Sequence, residues 1–201
     1  MTESSIPSTR SRPKGDKRER TRAKLLEAAR SLIRENGYEH TTLGDIAERA
    51  GMTTGAIYGN FKNRDDLFIA LGQTYWAPIK LRVKPGASFA DVMRAMAEAT
   101  IAAIPGRAAA AVGRLTGLAY TLTHEEVRAR VASITAESYA LGEKWLREVA
   151  KKEDLPMPAG QLVRVLHALT EGLVFQRLLT PELLPDQVIR AAFLALATKR
   201  R

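Results

Sequence analysis

The chain has 201 residues, 45% of them hydrophobic and 26% charged, the balance of a folded chain with a buried core rather than a fibre or a disordered polymer. Cysteine is absent, which excludes disulfides, thiolate metal sites and a thiol nucleophile. A net charge of +9 favours a polyanionic partner such as nucleic acid over an acidic membrane surface, but residues 1–67 hold 13 Lys and Arg against 10 Asp and Glu and residues 68–201 hold 18 against 12, so bulk charge singles out neither part.

Residues 1–16, rich in Ser, Pro, Thr and Arg and without apolar periodicity, read as a disordered basic arm. Its role stands between a solvated tail and an extension that contacts phosphate or the minor groove. The same stretch lacks the apolar core of a signal peptide, and no later run reaches the ~18 uninterrupted apolar residues of a membrane helix, so a soluble cytoplasmic protein without membrane association is expected. From Lys17 the pattern turns helical: Leu25, Leu26, Ala29, Leu32 and Ile33 recur at helical spacing until Gly37 closes the helix.

A second helix follows, with Thr42 as cap, Asp45 three positions on, and Leu43, Ile46, Ala47 and Ala50 as a one-sided stripe that Gly51 ends. Thr53 caps a third, in which Ile57 and Phe61 face the first two, and Asn63 begins a fourth with Asp65 and Asp66 in its first turn. Three short helices with a Gly-containing turn before the last form a helix-turn-helix. The third helix is unusual in clustering Thr53, Thr54, Gly55, Gly59 and Asn60, all weak helix formers. Small polar residues opposite Ile57 and Phe61 are what a helix needs to lie in the major groove of DNA. Thr53 and Thr54 offer hydroxyls to phosphate, Gly55 permits close approach, Tyr58 reaches phosphate with its hydroxyl, and Asn60 bonds a base edge or the backbone. Lys62 and Arg64 add charge at the rim.

Residues 21–71, "TRAKLLEAARSLIRENGYEHTTLGDIAERAGMTTGAIYGNFKNRDDLFIAL", resemble the DNA-binding domain of the TetR family of bacterial transcriptional regulators. The features that carry the resemblance are Gly37 followed by an aromatic at 38, "TT" before the second helix, "IAERAG", then Tyr58, Phe61, a basic residue at 64 and Leu67. The resemblance implies an all-α homodimer that binds a palindromic double-stranded operator and is released by a small effector held in a C-terminal domain. It also implies phosphate contacts by Thr42, Tyr58 and Arg64 and base or backbone contacts at Thr54 and Gly55. The chain departs from the pattern at Gly44, in place of a frequent arginine, at Gly59, in place of an aromatic, and at Asn60, in place of histidine or tyrosine. So small a surface leans on few base contacts and on DNA shape.

The expected organisation is a helix-turn-helix domain over 17–67 and a ligand-binding and dimerisation bundle over 68–201. Helices are expected near 88–103, 107–121, 124–152, 159–179 and 186–197, with breaks at Pro78, Pro85 and Gly86, at Pro105, and at a capping box of Thr123 and Glu126. The helix over 159–179 is apolar nearly all round, which demands cover on two sides. By resemblance, it and the following helix, presenting Ile189, Phe193 and Leu196, make the dimer contact. Candidate effector-pocket residues are Trp76, Met93, Met96, Arg114, Tyr120, Ser138, Tyr139, Trp145, His167 and Glu171, with His167 and Glu171 as a pair and Arg114 as the mark of an anionic ligand. No cofactor, no metal site and no catalytic residue is expected: His40, His124 and His167 are scattered, and the paired Glu-x-x-His of a helical metal enzyme is missing. The competing class is a DNA-binding regulator governed by a protein partner without a small ligand.

Overall fold

A computed structural model describes residues 14–79, 81, 83, 84 and 86–198, with side chains from residue 17 onward. Over those residues the chain is all-helical, with nine α-helices and one short 3₁₀ turn. It divides into two compact units, one ending at Leu71 and the other starting at Gly72. The basic arm lies outside the described residues up to position 13, as does the expected break at Pro85.

The first unit contains α1 (Lys14–Asn36), α2 (Leu43–Arg49), α3 (Thr54–Tyr58) and the start of α4 (Arg64–Tyr75). Helix α1 starts at Lys14 rather than Lys17, because Lys, Arg and Glu are good helix formers that need no buried face. It ends where Gly37 adopts φ 79° and its N–H donates to the Ile33 carbonyl at 2.9 Å. Thr42 and Asp45 form a reciprocal capping box: the Asp45 N–H donates to Thr42 Oγ1 at 3.2 Å and the Thr42 N–H donates to Asp45 Oδ2 at 2.9 Å. Gly51, at φ 65°, turns the chain between α2 and α3. The buried side chains are those of the apolar stripes: Leu25, Leu26, Leu32 and Ile33 from α1, Ile46 and Ala47 from α2, Ile57 from α3, then Phe61, Leu67, Ala70 and Leu71. Burying a side chain of this size contributes about 1.5–3 kcal/mol.

The second unit is built from α5 (Phe89–Ala108), α6 (Ala111–Thr123), α7 (Glu125–Val149), α8 (Ala159–Leu179) and α9 (Asp186–Ala195). Helix α5 packs on α8 and α9, and α7 lies between α6 and α8. The core joins Phe89, Val92 and Met93 of α5, Leu146 of α7, Leu162 and Leu166 of α8, and Ile189 and Phe193 of α9. At the crossing of α7 and α8 a Cβ on Gly142 would sit 3.1 Å from Val163 Cγ1, closer than packed carbons normally approach.

Four sequence expectations need correction. Pro105 does not end a helix; α5 runs through it to Ala108. Proline forgoes the backbone bond to residue 101 and crowds that carbonyl, a cost that falls near the end of the helix, where Arg107 pins the last turn by donating to the Ala77 carbonyl at 2.9 Å. Thr123 is the last residue of α6, not the cap of α7: its hydroxyl donates back to the Tyr120 carbonyl at 3.0 Å, and His124 takes the N-cap position. Helix α7 stops at Val149, followed by a 3₁₀ turn over Lys152–Asp154. Ile189 and Phe193 are wholly buried within their own unit and so cannot present a dimer face, while Leu196 packs on the same core and stays half-buried. Among the described residues no helix is long and apolar enough to cross a membrane.

Candidate nucleic-acid interface

Helix α3 is short and two-faced. Ile57 is fully buried and Phe61, just beyond its end, is 3% exposed, while Tyr58 between them is 63% exposed. Thr53, Thr54, Gly55, Gly59 and Lys62 are also exposed. Thr53 holds the N-cap position with extended backbone, yet its side chain makes no capping bond, leaving the hydroxyl unused inside the protein. Thr42, at the start of α2, is exposed as well, and its side chain serves the capping box. The structure thus gathers Thr53, Thr54, Gly55 and Tyr58 on one outward surface with Ile57 as its anchor.

Two sequence candidates point elsewhere. Asn60 is half-buried and its amide Nδ2 donates to the Ala56 carbonyl at 2.8 Å, so the side chain closes its own helix instead of extending toward a base. Its Oδ1 is buried without a hydrogen-bond partner. Arg64 turns inward too: its guanidinium donates to the Tyr38 carbonyl and lies over the Tyr38 ring, 4.1 Å from the centroid. Its work is to tie the start of α4 to the turn after α1.

Sequence reasoning missed the bracing of α3 from α1. Arg22 donates to the Asn60 carbonyl at 2.9 Å and lies 4.3 Å over the Phe61 ring, and Arg18 donates to the Gly59 carbonyl at 3.5 Å. Two cations thereby meet the carbonyl-rich end of α3, where the helix dipole favours positive charge. The signal was there in the i, i+4 spacing of Arg18 and Arg22, which puts both on one face of α1. Opposite them, Arg49 of α2 grips Glu35 of α1 through two hydrogen bonds of 3.0 and 2.8 Å, and Ser31 donates to the same carboxylate at 2.8 Å. These bonds hold the Glu35 carboxyl at about 2, well below its ordinary 4.5.

The ten effector-pocket candidates do not form one cluster. Met93 is fully buried in the core, with Met96 and Trp145 packed against it. Tyr120 stacks on His124, and Ser138 is exposed on α7. His167 does not pair with Glu171; its Nδ1 lies 2.7 Å from the Tyr139 hydroxyl. Burial holds the His167 imidazole below its usual range, against the pull of Glu171. Trp76, Arg114 and Glu171 do come together: the Trp76 indole N–H donates to Glu171 Oε1, and Arg114 donates to Oε2 at 3.1 Å. Arg107, which the sequence reading passed over as part of a helix break, completes this group. Among the described residues no three His, Asp or Glu side chains are placed to hold a metal ion.

Residues 25–71 match the family model for bacterial regulatory proteins of the tetR family. The chain is 51% identical over 51 residues to the HTH-type transcriptional regulator TtgR of Pseudomonas putida, covering 25% of this chain and 24% of that protein. It is 36% identical over 84 residues to the HTH-type transcriptional repressor AcnR of Corynebacterium glutamicum, covering 42% of this chain and 44% of the repressor. The similarity to these curated relatives therefore spans about a quarter to somewhat under half of their length. The crystal structure of NalD, the secondary repressor of the MexAB-OprM multidrug efflux pump in Pseudomonas aeruginosa, is similar over 88% of this chain and 93% of its own, at 26% identity and a TM-score of 0.56. Residues 25–71 thus match the DNA-binding region of bacterial regulatory proteins of the tetR family, and the chain as a whole is similar in its all-helical fold to a solved repressor.

Proposed function

We propose that this protein is a ligand-responsive DNA-binding transcriptional regulator of the cytoplasm, a repressor that holds a palindromic operator as a homodimer and releases it when a small effector occupies the second unit. The observation that carries the reading is α3: a five-residue helix whose anchor Ile57 is fully buried while Thr53, Thr54, Gly55 and Tyr58 stand exposed. Nothing inside the unit needs those small polar residues, and a major groove does. Thr42, Tyr58 and Lys62 supply phosphate contacts, Thr54 and Gly55 approach the bases, and Arg64 and Asn60 hold the frame from within.

Homodimer formation is assigned to the outward stripe of α8 and α9. Val165, Ala168, Gly172 and Leu179 are exposed along one side of α8, and Val188, Ala191 and Ala195 along α9. Small apolar residues in such a row suit close packing of helices from two copies. An effector that binds the DNA-incompetent arrangement more tightly shifts the population by that difference in affinity.

Selecting fragments of random genomic DNA with the purified protein tests the reading. An inverted repeat with half-sites about 34–36 Å apart, or a multiple of it, is expected. Tyr58→Phe should weaken binding to every sequence, whereas Thr54→Ala should also relax preference at particular base pairs. Unchanged affinity in both variants would remove α3 as the reading element.

A further inference from the structure

The second unit buries more positive charge than it neutralises at one place. Arg107 of α5 is 7% exposed, and Arg114 of α6 is half-buried. Both guanidinium groups approach the single carboxylate of Glu171 on α8. Arg114 Nη2 donates to Glu171 Oε2 at 3.1 Å, but Arg107 Nη1 is 4.0 Å from Oε1, beyond hydrogen-bond reach. Oε1 already accepts from the Trp76 indole. Two buried donors are consequently left without an acceptor, Arg107 Nη1 and Arg114 Nε. Burial lowers the Arg107 pKa from its ordinary value, with the charge of Arg114 acting the same way and Glu171 opposing. An unmatched donor on a buried cation is costly, and an anion would supply both the missing acceptor and the opposing charge.

The side chains packed around these donors are apolar. Trp76 stacks on Phe175 with ring centroids 5.0 Å apart, and Ile104, Ala111 and Leu178 pack against the same cluster. The Arg107 guanidinium lies 4.9 Å from the Trp76 ring centroid. An inorganic anion would gain nothing from those side chains, whereas an organic acid would bury its hydrocarbon part against them.

We infer that Arg107 and Arg114 form the anchoring subsite of the effector pocket, and that the effector is a small organic carboxylate whose oxygens take the donors Glu171 leaves unmatched. The inference rests on the second unit being the effector-binding part. Glu171 is then an internal competitor that holds the arginines until the ligand arrives. The same residues tether the segment just after α4, through the Trp76 indole and the Ala77 carbonyl. A carboxylate that draws Arg107 and Arg114 toward itself loosens that tether.

Calorimetric titration and thermal melting of the full chain test the assignment, using benzoate and hexanoate against benzamide and hexanamide, with inorganic phosphate as the apolar-free anion. The carboxylates should bind and raise the melting temperature while the amides and phosphate do not. Arg114→Gln should weaken benzoate and hexanoate by about tenfold or more, the loss of one charge-assisted contact. Glu171→Gln keeps an acceptor for Trp76 but removes the competing charge, and should bind the carboxylates more tightly than the wild type. Opposite signs at Arg114 and Glu171 are not produced by a cluster that is only structural. Equal binding of acids and amides, or wild-type affinity in Arg114→Gln, would overturn the site, and phosphate binding as tightly as the acids would overturn the organic-acid assignment. Fragment selection on the same preparation keeps these results separate from a failure of the DNA-binding reading.

Discussion

A Cβ added at Gly55 would meet nothing nearer than Thr53 Oγ1 at 3.7 Å, an ordinary contact, and the glycine sits in a helix at negative φ. The folded unit therefore has no use for glycine there. Alanine raises helix propensity by up to about 1 kcal/mol, so Gly55→Ala should leave urea stability unchanged or increased. Operator affinity measured on the same protein should fall, because the added methyl meets the duplex. A variant that loses stability instead would place the cause of Gly55 inside the protein. Gly59 differs: a Cβ there would lie 3.3 Å from the Gly55 carbonyl oxygen, so its small size also serves the end of α3.

At the scale of helices, α1 and α2 are joined on the surface by Glu35 and Arg49, and the pairing carries a pH signature. The Glu35 carboxyl ordinarily titrates at 4.5 and is held at about 2 when folded. A carboxylate with a depressed folded value stabilises above its unfolded pKa and loses that contribution as pH falls through the folded one. The stability difference between wild type and Glu35→Gln should be constant above about pH 5 and vanish toward pH 2. Denaturant melts at a series of pH values check this, and a difference that persists at pH 2 would exclude the ion pair as its source. The elements of this unit were legible in the sequence because their signals are local: a cap at Thr42, a stop at Gly37, and apolar residues three and four apart. The aim of Arg64 and Asn60 was not, since each chooses between solvent and a backbone carbonyl that only the folded chain brings near. Likewise the group of Trp76, Arg107, Arg114 and Glu171 unites positions up to 95 apart in sequence, and no periodicity announces it.

For the molecule as a whole, two residues expected at the dimer contact, Ile189 and Phe193, have zero exposure in the single chain. Apolar periodicity marks which residues of a helix leave water, and it is silent on whether the cover comes from the same chain or from a copy. The face left over on α8 and α9 is the one with small residues, and Ala168→Glu tests it. The substituted residue is exposed in the single chain, so the melting of isolated subunits should change little. Sedimentation should show a monomer and operator affinity should fall by orders of magnitude, as the two half-sites are no longer held together. A dimeric Ala168→Glu protein would assign the contact to another surface.

The missing side chain at Gly142 has a consequence for the spacing of two helices. A methyl at 142 would come within 3.1 Å of Val163 Cγ1, so α7 and α8 meet there at a separation that a side chain on 142 would have to widen slightly. Glycine at this point lets the two helices approach more closely than a larger residue would.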